Sequence, residues 1–219
     1  MTRLYKYIPW GRANSNRRKW NLDIFQHQRL HLSAFDDLND PMEAMFNADN
    51  LTNEQIKNIQ KKKPNIVIGS FAKIYSDLLM WSYYGDNHKG FCLEFEINDP
   101  FDEDNLKQVN YTNSIEISKE ENLLKQCVEI LSKKLWPWKQ EQEIRYLKLI
   151  ESNDQSSQYV NIRITKVYFG IRMSSKTKSH FQKILSENVP HIEIQSLSIE
   201  DLTWWNGEEN VRIMHIRCE

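Results

Sequence analysis

The sequence predicts an α+β fold built on a mostly antiparallel, mixed sheet with flanking helices, and three observations predict it. Short runs of alternating or continuous apolar residues recur along the chain, bounded by Pro, Gly, Asn and Asp. Two helix-start signatures and helical apolar spacing lie between them. The strands and helices follow one another without regular βαβ spacing, which disfavours a parallel, doubly wound sheet. At 219 residues, with 40% hydrophobic and 11% aromatic content, the chain can bury a proper core. One domain, 1–219, with a helical insertion at about 116–136, is the expected organisation.

Leu4 to Ile8 alternates and stops at Pro9 and Gly11, a short opening strand. Asn14 to Lys19 reads as a basic loop leading into Trp20, Leu22, Ile24 and Phe25, and Arg29 to Ser33 as a second alternation. Thr52-Asn53-Glu54-Gln55 is a capping box that opens a polar helix ending near Lys61-Lys62-Lys63. Ile66 to Phe71 is a buried-strand candidate. Asp77 to Tyr84 reads as a short helix, and Gly90 to Ile97 as a strand. A second capping box, Ser118 to Glu121, precedes Leu123, Leu124, Cys127, Ile130, Leu131 and Leu135 on one helical face before Pro137. Glu141 to Leu147 alternates as a strand, with a helix as the alternative. Ser152 to Ser157 reads as an exposed loop, Ile162 to Gly170 as a strand, Lys178 to Asn188 as a helix, and Ile192 to Leu197 and Val211 to Ile216 as strands.

Net charge is −1 with 27% charged residues, so nucleic-acid binding would need a local basic patch. Three widely separated cysteines, Cys92, Cys127 and Cys218, fit reduced thiols in a cytoplasmic protein rather than a disulfide frame. The polar N-terminus lacks a signal peptide's pattern, and no window is long and apolar enough for a membrane span. His27 and His31 have ligand spacing but no third ligand, so no metal is expected. Ser70-Phe71-Ala72-Lys73 has the serine–lysine spacing of penicillin-binding enzymes without their companion motifs, and reads as a strand end.

The stretch richest in chemistry is Met80 to Glu96, where Trp81, Ser82, Tyr83, Tyr84, His88 and Lys89 precede Gly90 and an apolar strand. Side chains able to stack, donate protons and bind anions at such a break suit a small-molecule site. This run, with Leu4-Tyr5-Lys6-Tyr7, Leu38-Asn39-Asp40-Pro41-Met42-Glu43, Ser70-Phe71, and Trp138 followed by Glu141, Glu143 and Arg145, resembles a bacterial family, the domain of unknown function numbered twenty-nine seventy-one. The resemblance reaches to about Gly170, and its layout is similar to a distant version of the ADP-ribosyltransferase fold, a split sheet pair around an NAD cleft.

That second resemblance implies NAD as co-substrate and transfer of ADP-ribose to a protein or nucleic-acid target, in a toxin or phage-defence setting. By position, Tyr5, Lys6 and Tyr7 stand where the first motif holds the adenosine ribose, though the family's usual His or Arg is missing there. Ser82, Tyr83 and Tyr84 resemble the motif beside nicotinamide, and Glu143 the catalytic glutamate, with Glu141 as competitor. A carboxylate bonded to the ribose hydroxyl would stabilise the oxocarbenium-like state as the nicotinamide bond breaks. Tyr84 or Tyr83 would hold the nicotinamide, Tyr7 or Lys6 would steady the dinucleotide, and Arg145 or Lys89, beside His88, would meet pyrophosphate. The alternative is a binding module that recognises a nucleotide, nucleic acid or protein without chemistry.

Overall fold

In the computed structural model, residues 2–11, 15–98, 104–118, 122–150 and 158–212 are described. In chain order the elements are β1 (Leu4–Ile8), α1 (Asn16–His27), β2 (Arg29–His31), α2 (Asn53–Lys62), β3 (Ile66–Phe71), α3 (Leu78–Tyr83), β4 (Phe91–Ile97), β5 (Leu106–Gln108), β6 (Asn110–Thr112), α4 (Leu123–Leu131), β7 (Lys133–Leu135), β8 (Ile144–Leu149), β9 (Tyr159–Phe169), α5 (Ser175–Asn188), β10 (Glu193–Ser196), β11 (Thr203–Trp205) and β12 (Asn210–Arg212). The α+β expectation holds, and most pairings are antiparallel; β9 with β10 and β6 with β7 are parallel.

The chain forms two compact units from interleaved segments: residues 1–29, 72–99 and 161–219 make the first, 30–71 and 100–160 the second. The first is organised on the strand order β1-β4-β9-β10. One face of that sheet carries Phe91, which meets Trp10, Phe25 and Phe181. Trp10 stacks on Phe181 with ring centroids 3.9 Å apart. The opposite face carries Tyr7, Cys92 and Tyr168, packed with Trp81, Ala72, Leu197 and Leu202. Alternate residues of β4 therefore serve two apolar layers, which is why Phe91 to Phe95 are buried on both faces.

The second unit rests on the antiparallel order β3-β8-β5. Ile66 and Ile68 of β3 and Leu147 of β8 pack with Ile59 of α2 and Cys127, Ile130 and Leu131 of α4. The Thr52 capping box forms as read: Thr52 accepts from the Gln55 N–H while Gln55 accepts from the Thr52 N–H.

Three elements differ from expectation. Asn16 to Lys19 is helical rather than a loop, because Ser15 caps the Arg18 N–H and the arginines and lysine that follow are good helix formers. Only Asn21 and Phe25 of α1 are buried, so its apolar periodicity is faint in the sequence. The helix before Pro137 ends at Leu131; the Ser132 hydroxyl turns back onto the Val128 and Glu129 carbonyls, and Lys133 to Leu135 pair with β6 instead. Glu141 closes a 3₁₀ turn, Trp136–Glu141, opened by Pro137, and the strand starts at Ile144. The Ser118 to Glu121 capping box, the Ser152 to Ser157 loop and the Arg212 to Ile216 end of the last strand fall wholly or partly outside the described residues.

The turn joining α3 to β4 is clamped by close backbone approach. A Cβ on Gly170 would lie 2.2 Å from the His88 carbonyl oxygen, and one on Gly90 would lie 2.3 Å from that of Ile8. Gly170→Ala should therefore destabilise the protein by about 1–3 kcal/mol in denaturant unfolding, as overpacking does; a loss below about 0.5 kcal/mol would show that the backbone can yield there.

Candidate functional site

The Met80 to Glu96 stretch folds as a short helix, a left-handed turn and a central strand. Asp77 caps α3 by accepting from the Met80 N–H at 2.8 Å. Trp81 is fully buried, its indole N–H held by the Tyr75 carbonyl at 2.7 Å and its ring struck edge-on by Tyr7 at 5.2 Å. Asp86, Asn87 and His88 then all have positive φ, at 53°, 50° and 67°. Successive left-handed non-glycine residues are costly and persist only when their surroundings fix them. Here the His88 N–H donates to Trp81 O at 3.2 Å, the Arg172 N–H to His88 O at 2.9 Å, and the Gly90 N–H to Gly85 O at 2.8 Å.

This geometry places the His88 imidazole in the interior, nearly parallel to the Trp81 ring with centroids 6.1 Å apart. Its Nε2 lies 3.2 Å from Ser82 Oγ, which donates to the Leu78 carbonyl at 3.0 Å. With the hydroxyl proton given to Leu78, the Nε2–H donates to Ser82 and Nδ1 is left as a bare lone pair. Among the described residues no partner meets that Nδ1. Burial, and to a lesser degree the Arg172 charge, push the His88 pKa below its ordinary 6.5, so the ring is neutral at pH 7 and acts as an acceptor.

The other predicted residues of this unit surround the turn and the β1–β4 pair. Tyr83 and Lys89 are exposed; Tyr84 and Ser82 are half-buried. Tyr7 is buried, donating to Ile74 O at 2.9 Å and accepting from the Asp77 N–H at 3.1 Å, so it serves the architecture. Lys6 is half-buried on β1. Tyr5 donates to Glu94 Oε2 at 3.2 Å, and burial followed by the Glu94 charge pushes its pKa up to about 12. Glu94 also accepts from Tyr168 and Thr165, both at 2.9 Å, where the β4–β9 register shifts. It was not among the predicted residues, since a glutamate inside a mostly apolar strand gives no spacing signal.

Glu143 and Arg145 come together in the second unit, in a buried ionic cluster. The Arg145 guanidinium reaches Glu143 Oε1 at 2.9 Å and grips both Glu43 oxygens, at 2.6 and 2.8 Å. Lys134 Nζ lies 2.6 Å from Glu141 Oε2 and 3.5 Å from Glu143 Oε2. Both competing glutamates thus face one lysine, although neither sits on the expected strand. Burial alone would raise the Glu143 pKa, but the charges of Arg145 and Lys134 outweigh it and hold the carboxyl below its usual 4.5. Glu43 and Lys134 complete the cluster. Glu43 lay in a motif that carried the family resemblance; Lys134 carried no signal, its partners being brought to it by the 3₁₀ turn.

The histidine pair is divided between elements: His27 ends α1 and pairs with Asp23 at 2.9 Å, while His31 lies on β2 against the edge of Tyr159. Among the described residues no group of three or more His, Cys, Asp or Glu is placed to hold a metal, and no helix is long and apolar enough to cross a membrane.

Residues 80–146 match the family described as Protein of unknown function (DUF2971), the family whose motifs the sequence resembles. The matched span is narrower than the resemblance read from Leu4 to Gly170. It contains the left-handed turn, Glu94, Lys134, Glu141, Glu143 and Arg145, and leaves out Tyr5, Tyr7 and Glu43. No curated protein and no solved structure matches the chain.

Both buried sites respond to acid in the same direction. The His88 pKa is lowered, so its contribution to stability is complete above pH 6.5 and falls as the unfolded chain takes up a proton below that value. The Glu143 contribution is complete above pH 4.5 and falls below it. Thermal melts across pH 7.5 to roughly 3 should therefore show two successive losses, with the upper one absent in His88→Asn. A flat profile between pH 7 and 5 in the wild type would contradict the placement of His88. Arg145→Met should cost about 3–5 kcal/mol, because it strands two buried carboxylates; a neutral substitution would show the cluster to be hydrated.

Proposed function

We propose that this chain is a nucleotide-binding protein and that the turn carrying His88 is its recognition element, with a dinucleotide such as NAD as the ligand class. The observation that supports the reading most strongly is the bare, buried Nδ1 of His88, held by three consecutive left-handed residues. An unsatisfied acceptor and a strained backbone are both free-energy costs that a ligand can relieve once the turn shifts to admit a donor to the buried Nδ1. The donors that would satisfy Nδ1 are amide or exocyclic amine N–H groups, which nicotinamide and adenine both carry. Exposed Tyr83 offers a ring for stacking, and exposed Lys89 and Arg172 supply positive charge for phosphate.

Calorimetric titration of NAD and ADP into the full chain tests this. His88→Asn keeps a residue that tolerates the left-handed conformation but removes the imidazole acceptor, and should weaken binding roughly tenfold, the cost of leaving one polar partner unpaired. Wild-type protein that binds neither nucleotide, or a variant that binds both as tightly, would overturn the reading.

ADP-ribose transfer from NAD to a protein or nucleic-acid target is the second reading, and one observation favours it: Glu143 is held ionised, the state that oxocarbenium stabilisation requires. Against it, the Glu143 oxygens face Arg145 and Lys134 in a buried cluster, so contact with a ribose hydroxyl needs that cluster to open. Nicotinamide release from NAD, measured with wild type and Glu143→Gln, decides it. Transfer predicts release by the wild type and a loss of at least a hundredfold in a variant whose melt shows it folded, roughly what removing one preorganised transition-state interaction costs; binding alone predicts no release from either.

A further inference from the structure

Beside the left-handed turn lies a cavity of about 550 Å³, lined by Pro9, Gly11, Ser15, Arg17, Trp20 and Asp86. That volume falls within the roughly 300–1,000 Å³ of ligand sites. Asp86 comes from the same turn that positions His88, so the cavity and the recognition element share a wall.

The residues of α1 divide between two tasks. Arg18 is drawn inward: its guanidinium lies 3.7 Å from the Trp10 ring centroid and donates to the Trp10 and Gly11 carbonyls at 3.2 and 2.8 Å. Asn21 donates to the Pro9 and Trp10 carbonyls at 2.8 and 3.0 Å. These bonds, with Trp10 stacked on Phe181, tie the Pro9 and Gly11 backbone that lines the cavity to the core. Arg17 and Trp20 point to the cavity and line it. Three residues apart on a helix, they are neighbours, yet Arg17 has no ion pair among the described residues and Trp20 is 68% exposed. An indole that contributes so little to the core, next to an unpaired guanidinium at the mouth of a cavity, matches the pairing of stacking platform and anion clamp used for nucleotides.

We infer that this cavity is the subsite for a nucleoside diphosphate moiety, with Trp20 stacking the base, Arg17 bonding the phosphate and Asp86 accepting from the ribose hydroxyls. The inference rests on the nucleotide-binding reading and adds where the ligand's adenosine diphosphate half lies. Carboxylate acceptors suit a ribose diol, and a planar guanidinium suits a phosphate edge.

The test is calorimetric titration of the full chain with ADP, adenosine and inorganic pyrophosphate as separate probes. Both side chains are exposed, so Arg17→Ala and Trp20→Ala should melt like the wild type. Arg17→Ala should weaken ADP and pyrophosphate about tenfold or more and leave adenosine unchanged, as loss of a charge-assisted bond does. Trp20→Ala should weaken ADP and adenosine by roughly five- to a hundredfold and leave pyrophosphate unchanged, while Trp20→Phe restores most of the affinity. If both alanine variants bind ADP as the wild type does, while His88→Asn does not, the subsite is wrong and the nucleotide-binding reading stands. Wild-type protein that binds neither ADP nor NAD overturns both.

Discussion

The first unit depends on one constraint, the clamp on the left-handed turn at Asp86-Asn87-His88. Three non-glycine residues in that conformation cost roughly 1–2 kcal/mol each, and the two bonds within the turn, Lys89 N–H to Asp86 O and Gly90 N–H to Gly85 O, offset only part of it. The rest comes from the surroundings: Trp81 supplies a carbonyl below, Arg172 a backbone N–H above, and Gly90 and Gly170 let two further strands approach within distances that no side chain would permit. Because the clamp includes the first residue of the exit from β9 and the first residue before β4, the sheet order β1-β4-β9 and the placement of His88 are fixed by the same contacts. Loosening one loosens the other.

A comparable logic governs the second unit with charges instead of backbone. Arg145 is fully buried on β8 and bridges Glu43, far away in sequence, to Glu143, two residues before it. Buried ion pairs contribute little net stability but are costly to break, so the cluster specifies arrangement more than it adds free energy. It fixes the entry to β8 and with it the β3-β8-β5 order. The carboxylates that the ADP-ribosyltransferase resemblance marks for catalysis are thereby tied to a structural duty.

Much of the fold was legible because its signals are local. The Thr52 capping box, the Ile66 to Phe71 run and the apolar face of Leu123 to Leu131 each carry their own physical reason. What escaped notice depends on contacts remote in sequence. The start of α1 reads as a basic loop because its buried positions are few and include Asn21, whose worth lies in capping the Pro9 and Trp10 carbonyls. At the site, Ser82 and His88 were legible as chemistry-bearing residues near a glycine, but their pairing was not, since it requires the left-handed turn to fold His88 back under α3. Glu94 and Lys134 were invisible as site residues: one lies in a hydrophobic strand, the other in a segment that reads as helix. Trp81, which stands in the same chemistry-rich run, is core, and its carbonyl accepts the His88 N–H that closes the turn.

The central claim is that His88 is a neutral acceptor waiting for a donor, and nitrogen-15 NMR of its imidazole measures that directly. At pH 7 the claim predicts a neutral ring with its proton on Nε2 and an Nδ1 resonance typical of an unbonded lone pair, which moves when NAD is added. An imidazolium at pH 7, a proton on Nδ1, or an Nδ1 resonance indifferent to saturating NAD would contradict it.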